Sequence, residues 1–236
     1  MIHWLVQTAE SLPTRRDFLC VMEMEKLPAL KIEKRQRDWL LGRWTAKQLI
    51  QAVLRDQGRH EAPDALCIGN RAGGEPFFQF AQGETADNYP LTLSISHSAN
   101  HAFCAVVERP FWPLGADIER IETRHPGFVQ DYFTNEEQAL VAQAPPPMQD
   151  TLITAVWSAK EAALKALHVG LRADTRAVSC LIGLERKRPL NWTSFTITLD
   201  STRLAHTPTL TGWWRIDNNF VLTIVTKQAN TMKKSM

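Results

Sequence analysis

Apolar and polar residues alternate over 91–96, with Leu91, Leu93 and Ile95 on one face, and that period of two predicts a strand. A second strand over 102–107 follows a tight connection, so the two read as a β-hairpin whose turn carries Ser96, His97 and Ser98. Elsewhere the apolar positions recur every three or four residues. Residues 32–54 form a long amphipathic helix on that pattern, turning Trp39, Leu40, Leu49, Ile50 and Val53 toward a core. A second helix carries Ile153, Val156, Leu164 and Leu167 as one stripe, with Trp157 at its edge. Asp150 or Thr151 can cap its start, Gly170 can end it, and Pro145, Pro146 and Pro147 break the chain before it. Residues 128–133 are helical, and Thr134-Asn-Glu-Glu137 fits a capping box that opens a helix over 138–143.

Short strands complete the picture at 2–6, 195–199, 212–216 and 220–225, the last two joined by an Asn218-Asn219 turn. Gly74-Glu75-Pro76 opens a Phe-rich strand, 58–63 and 69–74 read as loops, and 226–236 as a frayed tail. No internal repeat is evident. Pro110 and Pro113 stiffen one link, which divides the chain into an N-terminal α+β half over 1–110 and a C-terminal α+β half over 111–236.

Composition narrows the classes. With 236 residues, 44% of them hydrophobic and 22% charged, the chain can bury a real core, and its net charge of +2 gives no general reason to bind nucleic acid. Cys20, Cys67, Cys104 and Cys180 are far apart with no Cys-x-x-Cys pair, which predicts buried, reduced thiols rather than a zinc site or a disulfide framework. No signal peptide or spanning segment is visible, so the expectation is a cytoplasmic protein off the membrane.

Candidate chemistry sits in two stretches. In Gly115-Ala-Asp-Ile-Glu119, read as a strand, Asp117 and Glu119 point the same way, and two carboxylates on one patch repel unless a cation joins them. Hard oxygen donors of this kind suit magnesium. In Trp157-Ser-Ala-Lys-Glu-Ala-Ala-Leu-Lys165, Lys160 falls inside the apolar stripe, so it either snorkels out or reaches a buried anion. Glu161 and Lys165 are spaced as a surface ion pair or as part of a site. The first half of the long N-terminal helix is basic through Lys31, Lys34, Arg35, Arg37, Arg43 and Lys47, which is either a solvated face or a phosphate platform.

Taken in order, Ser-Ile-Ser-His97-Ser, Gly-x-Asp117-x-Glu119 and Trp-Ser-x-Lys160-Glu161-Ala-x-x-Lys165 resemble the motifs of the 4′-phosphopantetheinyl transferases, in the larger single-chain form that activates peptide, polyketide and siderophore synthetases. The resemblance covers roughly residues 30–175. It implies two similar α+β halves about a pseudo-twofold axis, each a small antiparallel sheet packed with helices, with coenzyme A in the cleft between them. It implies magnesium on Asp117, Glu119 and Glu161, with Glu137 as a further acidic ligand. Glu161, Lys165 and His97 would be catalytic. Lys31, Lys34, Arg37, Arg43, Lys47, Gly74, Ser96, His97, Lys160 and Lys165 would hold coenzyme A. The partner would be an apo acyl or peptidyl carrier protein, and the enzyme a monomer. Two positions depart from the pattern: Glu75 stands where a basic residue is common, so a phosphate contact there is either missing or supplied by Arg71, and His168 stands where glycine is common. The acidic strand with Glu161 and Lys165 also suits a magnesium-dependent nuclease, and loss of the chemistry would leave a non-catalytic carrier or coenzyme A binder.

Overall fold

The structure, a computed structural model, describes residues 1–82, 90–183, 191–227 and 232–235. They form two compact units, Met1–Trp112 with Asn230–Met236, and Pro113–Ala229. Both are α+β, one long helix laid on a sheet.

In the first unit β1 (Ile2–Thr8) leads through α1 (Val21–Lys26) to the long α2 (Glu33–Asp56), then to β2 (Leu66–Asn70), β3 (Pro76–Phe80), β4 (Thr92–Ser98) and β5 (His101–Val107). β5 is antiparallel to both β1 and β4, while β2 and β3 make a separate hairpin. α2 buries Ala46, Leu49, Ile50 and Leu54 against Leu93, Cys104 and Val106, as its helical period predicts. Strand β2 was not foreseen, because Gly69 and Asn70 read as loop. The β4–β5 turn is Ala99-Asn100, both at positive φ, so Ser96, His97 and Ser98 lie within β4 rather than in the turn. Part of the tail is also ordered: Met232–Lys234 pairs in parallel with the edge of β1, and Lys233 bonds Asp56, placing these residues in the first unit. Residues 228–231 and 236 of that tail lie outside the described residues.

A disulfide joins Cys20 to Cys67, with Cα atoms 5.7 Å apart, whereas Cys104 and Cys180 are free and buried. The expectation of four thiols is therefore corrected for one pair. Its members are 47 residues apart in sequence and meet only because the start of α1 packs on β2. Closing a loop of that length stabilises by about 4 kcal/mol in the chain-entropy picture. Denaturant unfolding with and without a dithiol reductant is expected to show the first unit losing much of that amount on reduction.

The second unit runs from β6 (Leu114–Arg120) through α3 (Phe128–Tyr132), α4 (Asn135–Gln143) and α5 (Pro146–Ala166) to β7 (Val178–Leu181), β8 (Thr193–Leu199), β9 (Thr211–Asp217) and β10 (Phe220–Thr226). The sheet order is β6-β10-β9-β8-β7, and α5 lies on β6 and β10. The Pro triplet starts α5 instead of preceding it. Pro146 and Pro147 occupy the first turn, where a missing N–H removes no helical bond. The helix ends at Ala166, and His168, with φ 56°, follows the Leu167 cap before Gly170. His168 thus holds the left-handed conformation that glycine adopts at least cost, which explains the departure in backbone terms. Among the described residues no helix is long and apolar enough to cross a membrane.

Candidate active site

The acidic site is built where α5 approaches β6. A Cβ on Gly115 would lie 1.7 Å from the Ala162 carbonyl oxygen, so only glycine lets the helix come this close. Across the same contact Ser158 Oγ lies 2.8 Å from Thr223 Oγ1, and the Thr223 hydroxyl donates to the Ser158 carbonyl at 2.9 Å. Thr223 is the β10 partner of Asp117, so these bonds fix the axial register of α5 against the acidic strand. Gly115→Ala is expected to force α5 away and to destabilise the second unit by about 3 kcal/mol or more, read as a lowered thermal midpoint.

That approach gathers Asp117, Glu119, Glu161 and Lys165. The Lys165 ammonium donates to Asp117 Oδ1 at 2.6 Å and to the Ala116 carbonyl at 3.2 Å, and stands 3.8 Å from Glu161 Oε2. Burial opposes the charge on Lys165, but the Asp117 and Glu161 carboxylates outweigh it and raise its pKa. Burial, then the Asp117 charge, pushes the Glu161 carboxyl up to about 7, and the same two causes raise Glu119. Arg124 limits that rise, donating to Glu119 Oε2 at 3.0 Å while stacking on Phe128 at 5.4 Å. Arg124 was passed over in the sequence; its signal was a basic residue in the loop just after the acidic strand. A cavity of about 430 Å³ is walled by Phe128, Tyr132, Trp157, Ala173 and Thr175 with Asp131 and Asp174, and Trp157 stands one helical turn before Glu161 on α5.

As they stand, no three His, Cys, Asp or Glu side chains among the described residues are grouped to hold a metal ion, and Lys165 supplies the nearest positive charge to Asp117. The chemistry of the donor set nevertheless fits a hard divalent cation. The Asp117 charge raises the pKa of both Glu119 and Glu161, and the Glu119 charge adds to the rise at Glu161, a repulsion that such an ion relieves.

Glu137 does not belong to that set. It is fully buried and closes the α4 capping box by accepting from Thr134 N at 2.8 Å, accepts from Cys180 N at 2.7 Å, and pairs with Lys160 at 2.7 Å. With both oxygens engaged in a dry core, its expected role as a metal ligand is corrected to a structural one. Lys160 goes with it: the ammonium is buried on Glu137 and the Val178 carbonyl. The first unit repeats the device. Glu23 closes the α1 capping box by accepting from Cys20 N, accepts from Ile68 N, and pairs at 2.5 Å with Lys47, which also donates to the Phe18 carbonyl. Lys47 is thereby removed from the expected phosphate ligands.

The coincidence extends to the sequence. Trp44-Thr-Ala-Lys47-Gln48 on α2 matches Trp157-Ser-Ala-Lys160-Glu161 on α5, a repeat not seen in the sequence without its structural partners. Shared residues build the units. Glu161 and Lys165 have uncharged counterparts in Gln48 and Ala52, so their charges are special to the second unit.

Of the remaining expected residues, Lys31, Lys34 and Arg37 are exposed at the start of α2, and Lys34 pairs with Asp38 at 3.1 Å. Arg43 is buried over Trp39 and donates to Asn70 Oδ1. Gly74, at φ 98°, turns the β2–β3 connection, Arg71 lies over the Phe77 and Phe111 rings, and on β4 Ser96 is buried and His97 exposed.

Residues 113–225 match the family model described as the 4′-phosphopantetheinyl transferase superfamily. Among solved structures the chain is similar to an apo-ACPS from Chronobacterium ammoiniagenes, at 16% identity and a TM-score of 0.36, over 46% of this chain and 96% of that one. No curated protein matches the chain.

Proposed function

We propose, from the match of residues 113–225 to the 4′-phosphopantetheinyl transferase superfamily, that this chain moves the 4′-phosphopantetheine group of coenzyme A onto a serine of an apo acyl or peptidyl carrier protein. The observation that carries this reading is the gathering of Asp117, Glu119 and Glu161 around Lys165, with a Glu161 carboxyl poised at about 7. That value belongs to the metal-free site; a bound divalent cation lowers it, which leaves Glu161 ionised as a base at neutral pH.

Glu161 accepts the proton of the carrier serine as its oxygen attacks the phosphorus next to pantetheine. The bond from that phosphorus to the remaining nucleotide breaks, and adenosine 3′,5′-bisphosphate leaves. Lys165 offsets the charge that develops on the phosphate oxygens. Asp117, Glu119 and Glu161 are the residues that would hold magnesium, which supplies Lewis-acid neutralisation of the pyrophosphate when bound. Arg124 opposes the rise in the Glu119 pKa and orients its carboxylate, and the aromatic cavity that Trp157 shares offers apolar walls to the pantetheine arm. The protein acts as a cytoplasmic monomer, where coenzyme A and carriers meet.

Intact mass of a panel of apo carriers, incubated with this protein, coenzyme A and magnesium, tests the reaction against a chelator control. A metal-dependent gain of one phosphopantetheine on the carrier serine is expected. Coenzyme A binding with no gain on any carrier would overturn catalysis, and salt-dependent nucleic-acid binding with no coenzyme A binding would point to the nuclease.

A further inference from the structure

The first unit holds a buried cation that nothing yet explains. Arg43 is 6% exposed, its guanidinium stacks on Trp39 at 4.2 Å, and its buried Nε has no hydrogen-bond partner. Among the described residues no carboxylate forms an ion pair with it, and burial lowers its pKa to about 10. A guanidinium kept dry is costly when the one carboxylate acting on it, Glu23, is itself paired with Lys47, and an arriving anion offsets that cost. With Lys47 committed to Glu23, Arg43 is a buried cation of α2 suited to a phosphate.

What aims it is Asn70. The side-chain oxygen of Asn70 accepts from Arg43 Nη2 at 2.7 Å, and its amide donates to the Gly74 carbonyl at 2.8 Å. The turn is pinned on its other side by Gly74 N donating to the Arg71 carbonyl and Arg71 N to that of Glu75, each at 2.9 Å. A single amide thus ties the guanidinium fork to the glycine turn, and Asn is suited to the task because it donates and accepts without adding charge.

We propose that Asn70 is a positioning residue that holds Arg43 and the Gly74 turn as one corner recognising the 3′-phosphate of coenzyme A. The inference rests on the transferase reading. A carboxylate at position 70 would still accept from Arg43 but would neutralise it and lose the bond to Gly74, which makes Asn70→Asp the discriminating change.

Calorimetric binding of coenzyme A and of dephospho-coenzyme A to wild type, Asn70→Asp and Asn70→Ala tests this independently of turnover, with thermal midpoints as the folding control. Wild type is expected to prefer coenzyme A, and both variants to lose about tenfold toward it with little change toward the dephospho form. In the transfer assay the loss is expected to fall mainly on KM. Equal losses toward both ligands, or undiminished coenzyme A affinity in folded Asn70→Asp, would overturn the role of Asn70. Should Asn70→Ala fail to fold, Asn70→Asp decides. Absence of coenzyme A binding by wild type would instead overturn the transferase reading, and this inference with it.

Discussion

Glu161→Gln is expected to lower kcat at least about 10²-fold, the low end of what a general base contributes, while leaving the second unit folded. The amide keeps the shape of the side chain but can neither take the serine proton nor contribute a full charge to a cation. A pH profile separates these roles. In wild type the rate limb controlled by Glu161 rises as pH passes through the group's pKa, which a bound divalent cation lowers from the metal-free value of about 7. The limb is expected to vanish in the variant. Stability has the opposite sign. A carboxyl whose folded pKa is raised contributes stability that is fully present below the unfolded glutamate value and is lost as pH rises through about 7. In chelator, therefore, the thermal midpoint of Glu161→Gln should gain on wild type between pH 5 and 8. Near wild-type turnover in a folded Glu161→Gln would remove the residue from the chemistry.

Lys160→Met is expected to damage folding rather than catalysis. It leaves Glu137 fully buried without its cation, and breaking one side of such a pair costs about 3 to 5 kcal/mol, a large share of a domain's stability. The double change Glu137→Gln with Lys160→Met should recover much of the loss, because the glutamine still accepts from the Thr134 or Cys180 amide and no lone charge remains. Chemical unfolding of the single and double variants reads the coupling. A Lys160→Met protein as stable as wild type but unable to bind coenzyme A would restore Lys160 to the ligand site.

These two neighbours, Lys160 and Glu161, mark the line between what the sequence determines and what folding decides. Periodicity alone specifies both long helices, the β4–β5 and β9–β10 pairings and the capping box at Thr134, because each depends on contacts a few residues apart in the chain. It also puts Asp117 and Glu119 on one strand face and Lys160 inside an apolar stripe, with the choice between snorkelling and a buried anion left open. Tertiary contacts made that choice, bringing Lys160 to a glutamate 23 residues away and Lys47 to one 24 residues away. They likewise joined Cys20 to Cys67, seated the C-terminal strand against β1, and set Arg43 on Asn70. A motif string gives identity and spacing along one element, whereas burial and partner depend on which other elements arrive. Lys160 and Glu161 therefore look alike in the motif and part company only in the fold, the one closed within the core and the other facing Asp117 and Lys165.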